Sequence, residues 1–422
     1  MKRALIYSGG GSRGAYEIGA WQALQDLRIR IDGVYGVSIG AINAALTAQG
    51  DADAAVKLWD HIDLSQIVSG ADEEGFSVGS MISSKRDIIP FLLEHAKNLR
   101  LDVRPLEELI RRSVSEGRVR ASGMEVNVTA VRVPSMTPVQ LSIRDMRSGS
   151  LTDWLMASAA CFPVFPLRQI DGMRYIDGGF YDNLPVDRAI LDGADELVCV
   201  DVHPDFTHPE YAHMPQIRII KPHSPLGGFL DFSPALLKRS RRLGYLDAMK
   251  AYGRYEGGRY AFRCTETLKL SPAAMRYAGE IARFDARCIT RMAFIKGNDG
   301  IRTPLFSALE ADAPGHAMNM KEELLRGLEL AARLCGFRED TLYEVDALHA
   351  RITEMLAAEP VPDVPFSERA VREIAESGGK ILLGYIFRRM SAGMQIGDQE
   401  TRVLAAHPEE TAAALCLISL RG

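Results

Sequence analysis

The stretch that decides the fold is YSGGGSRGAY, residues 7–16, which directly follows the apolar residues 4–6. Its glycines lie between a predicted strand over 3–8 and a predicted helix over 14–27. Within that helix, apolar residues recur at helical spacing. A strand, a glycine-rich loop and a helix are the usual opening of an α/β fold. The loop exposes backbone N–H groups, so we ask whether it binds a phosphate or another anion.

A nucleotide site is the first interpretation of this loop, because Gly9, Gly11 and Gly14 fit the pattern G-x-G-x-x-G. That fold also needs an acidic residue about 20 positions later, at the end of the next strand, to bind the ribose. The predicted second strand, 33–37, instead runs into GVSIG, residues 36–40. The Lys-Ser/Thr pair of a phosphate-binding P-loop is also missing after Gly14, so we expect no nucleotide.

The sequence G-V-S-I-G has the G-x-S-x-G form of a nucleophile elbow, and a small-residue helix is predicted directly after it over 39–48. In such a turn Ser38 adopts a strained conformation, and Gly36 and Gly40 avoid clashes with neighbouring backbone. The hydroxyl then projects at the carboxyl edge of the sheet. We therefore predict Ser38 as a nucleophile.

An acyl-transferring serine also needs N–H donors for the oxyanion of its tetrahedral intermediate. If strands one and two are adjacent and parallel, the glycine loop lies beside Ser38. Arg13 could organise this loop, face a lipid phosphate or be a solvated surface residue. The predicted oxyanion hole consists of the loop residues Gly9, Gly10, Gly11, Ser12, Arg13 and Gly14.

The serine needs a base, and two residues are candidates. Asp177 follows a short predicted strand and is backed by Gly178 and Gly179, so its carboxylate could reach the same sheet edge. Partial burial would raise its basicity. His203, at the end of the predicted strand 196–203, is the only plausible histidine. The six cysteines are scattered without metal-type spacing, which indicates buried thiols in a reducing compartment.

The rest of the chain divides into three regions. Residues 69–123 are charged and mostly helical, which predicts a cap or insertion. Alternating strands and helices to about residue 224 predict an α/β fold with a mainly parallel sheet. Beyond that point the sequence predicts almost continuous helix, including one helix over 366–391.

The overall composition excludes several classes of function. The net charge of −5 gives no basic surface for nucleic acid. No apolar run reaches the ~18 residues of a transmembrane helix, and the N-terminal apolar run is too short for a signal peptide. We therefore expect a cytoplasmic protein, with only a peripheral contact to a membrane or micelle surface left open.

Together these segments resemble the patatin-like phospholipase family. The resemblance is carried by GGGSRG (9–14), GVSIG (36–40), ASAACFP (157–163), and DGG (177–179) with the later NLP (183–185). It implies a three-layer α/β/α fold and an acyl hydrolase domain over 1–260, followed by a helical region, 261–422, to which it assigns no role. It further implies a Ser38–Asp177 dyad, an acyl-enzyme, lipid acyl substrates and no metal or other cofactor.

Several alternatives stay open from the sequence. A soluble carboxylesterase or thioesterase could use the same dyad, and a Ser-His-Asp hydrolase could use His203. The helical C-terminal region could be an interaction module. The resemblance leaves the lipid itself undefined, and the candidate walls of an apolar cleft are Met81, Ile88, Ile89, Phe91, Leu92, Leu93, Met124, Met136 and Met156.

Overall fold

A mixed β-sheet forms the centre of the first of two compact units, Met1–Tyr252 and Gly253–Gly422, in this computed structural model. The structure describes residues 1–69, 101–203, 209–211, 213–296, 303–311 and 317–421. The division into an acyl hydrolase domain over 1–260 and a helical region without an assigned role over 261–422 stays a prediction.

The sheet of the first unit contains eight strands among the described residues. They are β1 (Arg3–Tyr7), β2 (Gly33–Val37), β3 (Glu125–Val133), β4 (Thr137–Ser142), β5 (Arg168–Ile170), β6 (Met173–Asp177), β7 (Glu196–Val200) and β8 (Ile217–Ile220). Their order is β5-β6-β3-β2-β1-β7-β8, with β4 also paired to β3. Strands β3, β2, β1, β7 and β8 are parallel, which confirms the predicted mainly parallel sheet.

Helices connect most of these strands, as the alternation in the sequence predicts. Those of the first unit are α1 (Gly14–Asp26), α2 (Ile39–Ala48), α3 (Ala52–His61), α4 (Arg104–Ser113), α5 (Glu116–Ala121), α6 (Leu151–Ser158), α7 (Val186–Leu191) and α8 (Pro234–Ala251). Short 3-10 turns at Gly11–Arg13 and Gly178–Phe180 follow β1 and β6.

Helices cover both faces of the sheet, because side chains along a strand alternate between its faces. Tyr7 points toward α2, where its hydroxyl lies 2.9 Å from Oγ1 of Thr47. Ala4 and Ile6 point the other way and pack against α7 in one buried cluster. The first unit is therefore a three-layer α/β/α structure, as expected.

The predicted cap over 69–123 lies partly outside the described residues. Its described part includes α4 and α5, and Ser69 pairs with Asp102 in an isolated bridge. The cleft residues predicted at positions 81, 88, 89 and 91–93 fall outside the described part of the chain.

The second unit is a helical body around one large apolar core. Its helices are α9 (Thr267–Lys296), α10 (Pro304–Glu310), α11 (Met320–Leu334), α12 (Val345–Ala358), α13 (Glu368–Ala375), α14 (Gly379–Ser391), α15 (Asp398–Leu404) and α16 (Pro408–Arg421). Its core includes the fully buried aromatic residues Phe262, Tyr277 and Tyr385.

Two predictions for this second unit are wrong in detail. The single helix predicted over 366–391 is broken at Gly378, whose φ of +116° is outside the helical region and favours glycine. The unit also contains a small sheet of β9 (Tyr255–Glu256), β10 (Ala261–Arg263) and β11 (Leu342–Tyr343). Strands of two or three residues are too short to produce a periodic pattern in a sequence.

Among the described helices, none is by itself long and apolar enough to cross a membrane. The pair α15 and α16 reaches that length and composition only together, with a bend of 119° between the two helices.

Candidate active site

Strands β2 and β6 meet end to end along one edge of β3. Residues 127–129 of β3 pair with both β2 and β4, and residues 130–132 pair with both β4 and β6. A strand has two edges, so β2 and β6 must share the edge opposite β4. The last residue of β2 lies beside Thr129, and the last residue of β6, Asp177, lies beside Ala130. Ser38 and Asp177 are therefore brought together at a single peptide of β3.

Ser38 sits in the sharp turn between β2 and α2. Its φ of 55° and ψ of −125° are a strained combination for a residue with a side chain. The turn is tight because Gly36 and Gly40 touch: a Cβ on Gly36 would lie 2.2 Å from the carbonyl oxygen of Gly40. Ser38 stays partly exposed, while its neighbours in the turn are buried. This strand–turn–helix geometry is the one that the sequence G-V-S-I-G predicts.

Ser158, the last residue of α6, connects this turn to β3. Its hydroxyl accepts a hydrogen bond from the N–H of Ser38 at 2.9 Å and donates one to the carbonyl of Thr129 at 2.6 Å. Ser158 is fully buried, so no solvent replaces these bonds. In the sequence, residues 157–163 contribute only to the family resemblance, and no role is predicted for Ser158. A serine at the end of a predicted helix is the only local signal for this bridge.

Replacing Ser158 by alanine should lower the free energy of unfolding by about 1–3 kcal/mol, because two buried backbone groups lose their partner. Ser224→Ala is the matched control: Ser224 is also buried, but its hydroxyl has no hydrogen-bond partner among the described residues. Urea denaturation of both variants measures the difference. Equal stability of the two variants would contradict a bridging role of Ser158.

Asp177 is a buried carboxylate at the end of β6, with only 6% of its surface exposed. Burial raises its pKa to about 6, while hydrogen bonds from the Ser38 side chain and from the N–H of Gly179 oppose this rise. The Gly179 bond measures 2.8 Å. The backbone is held as well, since the N–H of Asp177 donates to the carbonyl of Ala160 at 2.9 Å. The carboxylate therefore interacts with the Ser38 side chain and is more basic than an ordinary aspartate.

The glycine loop between β1 and α1 lies beside Ser38: a Cβ on Gly9 would lie 3.1 Å from Cβ of Ser38. Most of its N–H groups are already bonded. Those of Gly9, Ser12, Arg13 and Gly14 donate to other groups of the protein. Within the described residues, the N–H groups of Gly10 and Gly11 donate no hydrogen bond.

Of the six residues predicted to form an oxyanion hole, only Gly10 and Gly11 therefore have an N–H group that donates to no described residue. Both residues line the same cavity as Ser38. Gly11 adopts a left-handed φ of +59°, and a Cβ there would lie 2.0 Å from the carbonyl oxygen of Phe229. Only glycine fits this position. Arg13 also lines the cavity, and its Nε donates to the carbonyl of Gly227 at 3.0 Å, which indicates that it organises the loop.

Asn183 joins the glycine loop to the loop that follows Asp177. Its side chain accepts the N–H of Gly9 at 3.2 Å and donates to the carbonyl of the same residue at 3.3 Å. Its Nδ2 also lies 3.3 Å from Nδ1 of His203, which in turn lies 3.0 Å from Oδ1 of the buried Asp201. His203 also lines the cavity, and its Nδ1 is held between Asp201 and Asn183.

These groups open onto one mainly apolar cavity of about 380 Å³. Besides Ser38, Asp177 and the loop glycines, its lining residues include Ile39, Ile42, Ile67, Leu106, Phe165, Phe180, Phe229, Leu230 and Phe232. The methionines proposed from the sequence at positions 124, 136 and 156 are not among them. Met136 instead lies exposed in the turn between β3 and β4, and Met156 is buried in α6.

Cys161 lines the same cavity, but it is a poor nucleophile. Burial raises the pKa of its thiol to about 12, with a smaller contribution from the nearby Asp177 carboxylate. A thiol with this pKa carries almost no thiolate near neutral pH. The partly exposed Ser38 is therefore the better candidate for attack on a bound ester.

Comparisons with known proteins identify a family that the first part of the chain resembles. Residues 5–190 match the patatin-like phospholipase family. The lysophospholipase nte1 of Aspergillus terreus is 27% identical over 202 residues, which are 47% of this chain and 12% of that protein. The patatin-like phospholipase domain-containing protein 7 of Rattus norvegicus is 26% identical over 205 residues, 47% of this chain and 13% of that protein.

The chain thus matches only about an eighth of the length of these curated relatives. Among solved structures, VipD from Legionella pneumophila aligns over 97% of this chain and 91% of its own, with a TM-score of 0.42 and 14% identity. The predicted family resemblance is confirmed: residues 5–190 of this chain match the patatin-like phospholipase family.

Proposed function

We propose that this chain is a serine acyl hydrolase that cleaves fatty acyl esters of phospholipids and lysophospholipids. The observation that carries the proposal is the end-to-end meeting of β2 and β6 on β3. It brings the Ser38 side chain beside the carboxylate of Asp177, which burial makes more basic. Such an arrangement can generate a nucleophile without a histidine.

In the first step Oγ of Ser38 attacks the ester carbonyl carbon as its proton passes to Asp177. The carbonyl oxygen becomes an oxyanion, and the N–H groups of Gly10 and Gly11 stabilise it. When the tetrahedral intermediate collapses, the bond to the alcohol oxygen breaks. The proton on Asp177 then transfers to that leaving oxygen, which leaves the acyl group on Ser38.

In the second step water attacks the acyl-enzyme, and Asp177 accepts its proton. The same two amides hold the second oxyanion. Its collapse breaks the bond to Oγ of Ser38, which takes the proton back from Asp177, and a fatty acid leaves. Asn183 and Arg13 do not exchange protons in this scheme; they hold the glycine loop in place.

A lipid substrate is supported by the apolar cavity and by the names of the relatives, several of which are lysophospholipases. We propose that the chain acts in the cytoplasm and meets its lipid at a membrane or micelle surface. The alternative, a soluble carboxylesterase or thioesterase, would use the same dyad. Hydrolysis that rises sharply above the critical micelle concentration of a lysophospholipid supports the first, and saturation with monomeric substrate supports the second.

Covalent labelling tests the nucleophile directly. A fluorophosphonate probe should modify the wild-type chain, and peptide mass spectrometry should find the adduct on Ser38. Ser38→Ala should remain unlabelled, while the Ser224→Ala control should label like wild type. An adduct on a different serine, or equal labelling of Ser38→Ala, would overturn the proposed mechanism.

A further inference from the structure

A second, smaller cavity lies next to the candidate active site. Its volume is about 20 Å³, and four of its lining residues, Ile39, Ile42, Ile67 and Leu106, also line the larger cavity. The residues that line only the smaller one are Leu46, Leu58, Trp59, Ile62, Leu109, Ile110 and Ser113. The two cavities therefore adjoin along these four aliphatic side chains.

We propose that this smaller cavity, the inner pocket, receives the methyl end of the acyl chain and sets the chain length that the enzyme prefers. The proposal rests on the proposed function, because it assumes that an acyl group is attached at Ser38. It adds a specificity site that is distinct from the dyad and the glycine loop.

Helix α2 provides the path from the nucleophile to the inner pocket. Ile39 follows Ser38 directly and lines both cavities, as does Ile42, whereas Leu46 lines only the inner pocket. Positions three and seven residues apart lie on one face of a helix. The rise of 1.5 Å per residue places Leu46 about 10 Å beyond Ile39 along the axis. An acyl chain can therefore follow one aliphatic stripe of α2.

The chemistry of the inner pocket fits hydrocarbon rather than a headgroup. Its walls are aliphatic apart from Trp59 and Ser113. The polar atom of Trp59 is used elsewhere, since Nε1 donates to Oδ1 of Asn43 at 3.0 Å. The carbonyl of Ser113 accepts from Nε2 of Gln49 at 3.0 Å. Apolar cavities of this kind stay dry and bind apolar groups.

The small volume of the inner pocket should limit the length of the acyl chain that can bind. A volume of about 20 Å³ accommodates roughly one water-sized group, which corresponds to a terminal methyl group. One methylene too many in an apolar pocket lowers kcat/KM by roughly tenfold or more. We therefore expect a sharp upper limit of chain length in the wild-type chain.

Substitution of Leu109 tests this limit, because Leu109 lines the inner pocket and not the larger cavity. With p-nitrophenyl esters from butanoate to hexadecanoate, all dispersed in the same detergent, Leu109→Ala should move the optimum to longer chains, by about two carbons. Leu109→Phe should move it to shorter chains and lower kcat/KM for the wild-type optimum about tenfold. Turnover of the butanoate ester should stay unchanged in both.

The matched control is Leu24→Ala, a fully buried leucine of α1 that lines neither cavity. It should lower stability as Leu109→Ala does and leave the chain-length profile unchanged. Shifts in opposite directions for the two Leu109 variants support the inner pocket. A wild-type profile in both variants, with butanoate still hydrolysed, would overturn it and leave the proposed function intact.

A binding measurement separates this inference from the hydrolase activity. In Ser38→Ala, a fatty acid with bromine on its terminal carbon should quench the fluorescence of Trp59, and the same acid with bromine beside the carboxylate should not. Trp59→Phe identifies the signal among the three tryptophans. Terminal quenching supports the pocket even if no ester is hydrolysed, and absence of quenching at every chain length overturns it.

Discussion

Asp177→Asn should lower kcat/KM for an acyl ester by about 10²–10⁴-fold, the contribution typical of a general base. Asparagine keeps the shape of the side chain and can still accept the N–H of Gly179, so the loop should stay in place. The wild type should lose activity as the pH falls through about 6, where the carboxylate becomes protonated. The pH dependence of kcat/KM, measured with a soluble ester, checks both expectations.

The same substitution should stabilise the fold at neutral and alkaline pH. Burial raises the pKa of Asp177 from 3.8 to about 6, so the folded state binds its proton more tightly than the unfolded state does. Stability therefore decreases as the pH rises from about 4 to 6, and the penalty persists above that range. At 1.36 kcal/mol per pKa unit, Asp177→Asn should gain up to about 3 kcal/mol at pH 8 and nothing below pH 4.

His203→Ala is the comparison that separates the two candidate bases. Because the Ser38 side chain interacts with Asp177, whereas Nδ1 of His203 contacts Asp201 and Asn183, we expect His203→Ala to retain most of the turnover. Loss of turnover in His203→Ala together with retention in Asp177→Asn would show that histidine is the base. A plot of kcat/KM against pH that shows no decrease near pH 6 would also contradict the role of Asp177.

Gly11→Ala should produce the largest combined loss of stability and activity. The added methyl group would lie 2.0 Å from the Phe229 carbonyl oxygen, in a residue whose φ is +59°. Relief of this clash moves the glycine loop and weakens the 2.8 Å bond from the Ser12 N–H to the same carbonyl. Misplaced oxyanion donors cost about 10²–10³-fold in kcat, so both turnover and the melting temperature should fall.

Gly123→Ala is the matched control for this experiment. Gly123 has a similar φ of +71°, but a Cβ there would meet no atom within 4 Å. It should therefore show only the conformational penalty, about 1 kcal/mol, and keep the wild-type kcat. If Gly11→Ala behaves like Gly123→Ala in both measurements, the Gly10–Gly11 amides are not the oxyanion donors.

The sequence predicts the parts of the site that depend on local rules. Ser38 and Asp177 each come at the end of a short strand and are framed by glycines, a local pattern that marks both residues. The rule that parallel strands end at one edge of a sheet does not bring them together, because β6 runs antiparallel to β3. The end-to-end meeting of β2 and β6 on β3 cannot be predicted in this way. It depends on which residues of β3 pair with β2 and which pair with β6, and the sequence pattern of a single strand does not contain that register.

Other features depend on tertiary packing and could not be read locally. Which loop amides are free follows from contacts with Phe229 and Asn183, which are about 170 to 220 positions away in the chain. The bridge by Ser158 is of the same kind. The cavity walls predicted at Met124, Met136 and Met156 rest on residue type alone and are wrong, because the described lining consists mainly of isoleucine, leucine, phenylalanine and glycine.

The shared edge of β3 also bears on how this domain can vary. Because hydroxyl and carboxylate are both anchored to the Thr129–Ala130 peptide, their separation does not depend on the length of the connections between them. Insertions or deletions between α2 and β3 should leave Ser38 and Asp177 undisturbed, whereas the connection between β4 and β5 is constrained because it carries Ser158 and Ala160, which bind the backbone of these two residues. The segment between α2 and β3 can therefore change in length and sequence, and alter which substrate binds, without moving Ser38 away from Asp177.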